Sequence, residues 1–116
     1  MGTASGTADP TAGWTRAALE LAVLAVLTEG ARHGYALAQR LAAMGLANVT
    51  GGVLYPVLGR LEASGAVTST WQAGNGGPGR KVYALTEAGR GRLAADRARW
   101  REFTMTLDNL LTTTEV

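Results

Sequence analysis

Few residues in this 116-residue chain could carry chemistry, and the missing types narrow the choice. There is no cysteine and only one histidine, His33. A disulfide framework, a thiolate metal site and a cysteine nucleophile are excluded, and a histidine-dependent triad is hard to assemble. No clustered carboxylates and no supported phosphate loop suggest an enzyme, and no cofactor or metal is implied. Cations and aromatic rings remain. Eleven basic and nine acidic side chains give a formal charge of +2, too small by itself to announce a polyanionic partner. The distribution says more. Residues 1–66 hold four of each sign, residues 67–101 hold seven basic and two acidic groups (net +5), and residues 102–116 hold three acids (net −3). A concentrated positive block suits phosphate. Within it Arg80 and Lys81 follow a glycine-rich stretch, Gly74-Asn-Gly-Gly-Pro-Gly79, and are placed for phosphate contact. Arg97, Arg99 and Arg101 read more simply as a solvated helix face. Other matches carry less. Gly74-x-Gly76-x-x-Gly79 fits a dinucleotide fingerprint, but a strand follows where a helix is required. The sequon Asn48-Val-Thr50 has no meaning in a cytoplasmic chain, and a cytoplasmic location is the expectation. His33 beside Gly34 reads as a cap or packing residue, and Glu62 as a fold-stabilising charge.

These side chains need elements to position them. The apolar fraction of 47% and charged fraction of 17% are those of a globular domain. The longest apolar run, Leu21 to Leu27, is far short of the ~20 residues of a membrane helix. Residues 1–13 are small, polar and aperiodic: a disordered arm is expected, without the features of a signal peptide. From Thr15, Leu19, Val23, Val26 and Leu27 follow helical steps, with Gly30 as a stop. Tyr35–Met44 repeats the device before Gly45. A third helix runs from a Thr50 cap through Leu54, Val57, Leu58 and Leu61 to Gly65. The period then changes, and residues 67–71 and 81–85, rich in β-branched and aromatic residues, read as a hairpin. Thr86 can cap a last helix with Glu87 in its first turn, reaching about Leu111 and ~40 Å long. Along it Leu93, Trp100 and Leu107 recur every seven residues, with Phe103 and Leu110 between. This seam wants another helix, and a second copy of the chain is the economical supplier.

Three helices, a hairpin with a flexible tip and a long helix form the order of a mainly α winged helix-turn-helix. Its third helix enters a major groove and its hairpin, the wing, reaches the flanking backbone. The expected layout is an arm (1–13), a DNA-binding domain (14–85), a dimerisation helix (86–112) and a tail (113–116). Three motifs in order, His33-Gly-Tyr-Ala-Leu37, Leu54-Tyr-Pro-Val-Leu-Gly-Arg-Leu-Glu-Ala-Ser-Gly65 and Gly77-Pro-Gly-Arg-Lys-Val-Tyr-Ala-Leu-Thr-Glu-Ala-Gly-Arg90, closely resemble the PadR-like transcriptional regulators. The resemblance spans roughly residues 19–110. It implies the short subfamily, dimerised by one C-terminal helix, repressing a nearby gene until a small molecule, often phenolic or an aromatic drug, releases it.

The expected DNA contacts are Thr50, Gly51, Gly52, Tyr55 and Arg60 on the third helix, with Arg80 and Lys81 on the wing. Tyr55 stands open between DNA contact and packing. Family members commonly carry a hydroxyl residue and a basic residue where this chain has Val53 and Gly59; Val53 can reach only a thymine methyl, and Gly59 removes a phosphate contact. The resemblance also places Trp100 where multidrug-binding members pair a tryptophan across the two-fold axis around a planar ligand. Asp96, one turn earlier, could hold a cation, and Phe103, Leu21 and Ala25 could complete an apolar wall. Trp100 is equally an ordinary interface anchor. The expected interface is Leu93, Trp100, Phe103, Leu107 and Leu110. A second reading, a dimeric ligand- or protein-binding module that no longer reads sequence, follows from Val53, Gly59 and the glycines opening the third helix.

Overall fold

The computed structural model describes residues 9–74 and 76–113. Helix α1 (Ala12–Leu27) opens three residues before its apolar periodicity does. The Asp9 carboxylate accepts from the Thr11 N–H at 2.9 Å and the Thr11 hydroxyl at 2.7 Å, a side-chain turn that starts the helix early. Ala12 and Gly13 are therefore helical and not part of an arm; residues 1–8 of that expected arm lie outside the described residues. α1 buries Leu19, Val23, Leu24, Val26 and Leu27.

After β1 (Arg32–His33) come α2 (Gly34–Ala43) and α3 (Gly51–Ala63), the two helices of the helix-turn-helix. His33 caps α2, its Nδ1 accepting from the Ala36 N–H at 3.4 Å. α3 stops because Gly65, at φ +83°, turns left-handed. The Ala66 N–H then reaches the Leu61 carbonyl at 2.9 Å and the Gly65 N–H the Glu62 carbonyl at 3.0 Å, closing the helix end. Thr50 occupies the cap position of α3, and its carbonyl accepts from the Leu54 N–H at 2.8 Å, but its hydroxyl makes no cap bond. Pro56 lies inside α3 and offers no N–H to the Gly52 carbonyl.

Strands β2 (Val67–Gln72) and β3 (Arg80–Leu85) form the wing, each one residue longer than the β-rich runs suggest. The expected two-stranded hairpin is a three-stranded antiparallel sheet in the order β1-β3-β2. β1 pairs only Arg32 with Tyr83 and His33 with Val82, too short to leave a periodic signal. The Arg32 guanidinium donates to the Val26 carbonyl at 3.0 Å and ties this strand to the end of α1.

One core unites α1, α2 and α3 with Ala66, Val67, Tyr83 and Leu93. Helix α4 (Glu87–Thr113) leaves it at a tight junction. The Thr86 hydroxyl accepts from the Gly89 N–H at 3.0 Å and donates to the Gly65 carbonyl at 2.6 Å. A Cβ at Gly89 would lie 2.0 Å from the Ala66 carbonyl oxygen, so only glycine lets α4 start there. Of the 27 residues in α4, Gly89 and Leu93 alone are buried.

Candidate nucleic-acid interface

α3 divides cleanly. Leu54, Val57, Leu58 and Leu61 face the core, while Gly51, Gly52, Tyr55, Pro56, Gly59 and Arg60 are exposed on the other side with the cap residue Thr50. The structure brings Thr50, Gly51, Gly52 and Tyr55 together at the start of α3. The Tyr55 ring leans on the backbone of α2: a Cβ at Gly34 would meet its hydroxyl oxygen at 2.4 Å. Tyr55 is nonetheless half exposed, so packing and outward contact coexist in one side chain.

Arg60 sits apart from that group. Its Nε donates to Glu20 of α1 at 3.0 Å, although 62% of the side chain is exposed. The same carboxylate receives Arg92 of α4, which also reaches Asp96 at 3.3 Å; Asp96 in turn accepts from Arg99 at 2.9 Å. Partial burial alone would raise the Glu20 pKa, but the Arg60 and Arg92 guanidiniums hold it below the usual glutamate range. One carboxylate thus ties α1, α3 and α4. That tie had no signal in the sequence, because its members are 40 and 72 residues apart.

The wing carries Arg80 and Lys81 at the mouth of the glycine-rich loop. The Arg80 guanidinium approaches His33 Nε2 at 2.9 Å. A neutral imidazole has one acceptor nitrogen, so the Ala36 and Arg80 donors compete for it. Lys81 Nζ lies 3.7 Å from Glu62, which also accepts from the Ser69 hydroxyl at 2.5 Å. Glu62 therefore fastens the wing to α3. Burial, then Glu62, then Tyr55 push the Tyr83 phenol above its ordinary pKa. Between the wing and the start of α2 lies a groove of about 440 Å³, lined by His33, Tyr35, Tyr55, Trp71, Arg80, Lys81 and Tyr83 with Gly34 and Gly79.

The expected ligand-site residues are less gathered. Trp100 and Phe103 meet, ring centroids 5.9 Å apart and tilted by 46°. Asp96 is one turn away, occupied by Arg92 and Arg99. Leu21 packs at the edge of the core. Ala25 opens instead on an apolar hollow of about 230 Å³ between α1 and the end of α2, with no α4 residue in its lining. Among the described residues no group of three His, Cys, Asp or Glu could hold a metal ion, and no helix is long and apolar enough to cross a membrane.

A helix-turn-helix with a wing, a basic wing tip and a projecting helix is the outline of a DNA-binding regulator, and comparison with known proteins decides which. The model of the Transcriptional regulator PadR-like family matches residues 23–95, from α1 through the first third of α4. The chain belongs to the PadR-like family. Transcriptional regulator Rv3488 of Mycobacterium tuberculosis is 42% identical over 82 residues, 71% of this chain and 75% of that protein. Among solved structures, a PadR family regulator from Eggerthella lenta is 33% identical with a TM-score of 0.80, the match covering 88% of each chain. A PadR-like regulator from Bacillus cereus is 29% identical with a TM-score of 0.74, covering 86% of this chain and 97% of that one. The PadR-like chain is thus a DNA-binding transcriptional regulator and not an enzyme. Its winged-helix fold with a long C-terminal helix is that of these PadR-family structures.

Proposed function

We propose that this PadR-like regulator works as a homodimer that represses transcription by sequence-specific binding to duplex DNA, and that a small planar aromatic ligand at the dimer axis releases it. The observation that carries the reading is α4. Beyond Leu93 none of its side chains is buried, yet Trp100, Phe103, Leu107 and Leu110 are exposed along it at heptad-like spacing. Large apolar residues aligned on a bare helix are best accounted for by a second such helix. Pairing two copies through Leu93, Trp100, Phe103, Leu107 and Leu110 would set the recognition helices about one duplex turn, ~34 Å, apart.

In this reading Thr50, Gly51, Gly52 and Tyr55 meet the major groove, Arg60 presents its free guanidinium edge to a phosphate, and Arg80 and Lys81 hold the flanking backbone. Gly51 and Gly52 let the α3 backbone approach DNA without a side chain between them. A planar ligand between Trp100 and its symmetry mate, walled by Phe103, Leu21 and Ala25, would change the spacing of the two α3 helices. The dimer would then shift toward a form that cannot span its operator. A cationic ligand would have to draw Asp96 from Arg92 and Arg99. Acting on chromosomal DNA places the protein in the cytoplasm.

The test is titration of duplex from upstream of the chain's own coding sequence, at several salt concentrations and without ligand. Preference over a random duplex of equal length supports the reading, and equal affinity for both contradicts it. Val53 and Gly59 motivate the second reading, a dimeric ligand- or protein-binding module. There, Arg60→Ala and Arg80→Ala would leave every activity unchanged.

A further inference from the structure

The groove beside the wing holds two large exposed aromatic residues that none of the roles above employs: Tyr35, 68% exposed, and Trp71, 70% exposed. It exists because β1 ends at His33, leaving β3 without a strand neighbour on that side beside Lys81 and Arg80. There the chain turns into α2, and Tyr35 stands on its first turn opposite the wing. On the wing, Trp71 is the register partner of Lys81, so their side chains leave the same face of the sheet. Glycines form the floor. A Cβ at Gly79 would lie 2.8 Å from the Gln72 carbonyl and 3.5 Å from Trp71 Cε3, so the indole rests on bare backbone. At the other end Gly34 receives the Tyr55 ring in the same way.

We propose that this groove seats one sugar-phosphate strand of the bound duplex, with Trp71 and Tyr35 as DNA-contacting residues on its two walls. Charge selects this occupant: Arg80 and Lys81 line the groove with His33, Lys81 also lying 3.7 Å from Glu62, and among the described lining residues none is acidic. A polyanion with a partly apolar skeleton matches both features. Phosphate oxygens meet the cations and the phenol and indole donors, while deoxyribose carbons cover the rings. The proposal rests on the reading of this chain as a binder of duplex DNA, and it adds contacts that carry no formal charge.

That absence of charge gives the test. Full-length wild type, Trp71→Ala, Tyr35→Ala and Lys81→Gln are titrated with the upstream duplex and a random duplex over a range of salt. Trp71→Ala and Tyr35→Ala should each weaken binding about tenfold at every salt concentration, with the slope of log K against log salt unchanged. Lys81→Gln should instead reduce that slope by about one. Tryptophan emission should be quenched by duplex in wild type and much less in Trp71→Phe, whose fold is secured by the exposure of the position. Wild-type affinity in both alanine variants, with quenching unaltered in Trp71→Phe, overturns the proposal while leaving DNA binding intact. Quenching of Trp71 by 4-hydroxybenzoate, competing with duplex at micromolar concentration, also overturns it, since the groove would then be a small-molecule site. If wild type binds neither duplex, the underlying reading fails, and the groove proposal fails with it.

Discussion

The groove beside the wing and the far half of α4 both expose large aromatic and apolar side chains, yet their surroundings differ. Around Tyr35, Tyr55 and Trp71 stand Arg80, Lys81 and His33. Around Leu107, Leu110 and Leu111 stand Glu102 and Asp108, and beyond Arg101 the described part of α4 has no cation. Exposed apolar area states only that something covers it. At the groove the charge beside it points to a polyanion, and along α4 the heptad-like spacing points, in the proposed dimer, to another helix. The two regions also differ in attachment. The groove is built on a sheet and the starts of α2 and α3, all packed on the core, whereas α4 is held through Gly89, Leu93 and the Glu20–Arg92 pair.

Four sets of substitutions separate the two regions. The largest effect should come from the junction between the regions. Gly89→Ala puts a methyl group into the Ala66 carbonyl and should cost about 3 kcal/mol, lowering the melting temperature and impairing DNA binding and dimerisation together. Next, Leu107→Glu should convert the proposed dimer to monomer in sedimentation at micromolar concentration while the melting transition stays cooperative. A charge placed in the groove should leave the proposed dimer intact. Third, Arg80→Gln with Lys81→Gln should reduce the salt slope of DNA binding by about two and leave sedimentation unchanged.

The smallest effect concerns Glu20. Its folded-state pKa is depressed by Arg60 and Arg92, so its contribution is present above the ordinary glutamate range and lost as pH falls through the lowered value. Glu20→Gln should therefore cost about 1 kcal/mol near neutrality and nothing at strongly acidic pH. Melting curves from neutral to acidic pH would show the two proteins converging.

Much of the fold was legible because its signals are local. Helical spacing of leucines, stops at Gly30, Gly45 and Gly65, and the Thr86 cap all lie within a few residues of what they control. The elements that escaped were short or made at a distance. β1 has two residues and gains strand character only from β3, nearly fifty positions away. The early start of α1 depends on a turn at Asp9 and not on apolar spacing. At the candidate interface the glycine loop points to Arg80 and Lys81 as phosphate contacts, and both line the groove. Arg60 was named from its motif, but its tie to Glu20 was hidden by sequence separation. Tyr35 gives only a helical position and Trp71 only strand composition, and neither signal reports exposure. Ala25 fell on the expected helix but opens on a different hollow, since rotation about α1 is set by packing with α2.

Amide hydrogen exchange of the free protein and of its complex with the upstream duplex tests the division most directly. Residues 97–113 should be protected before DNA is added and little changed after it. Residues 33–35, 50–55 and 69–81 should gain protection only with DNA. Fast exchange along residues 97–113 in the free protein, or a wing indifferent to duplex, would contradict it.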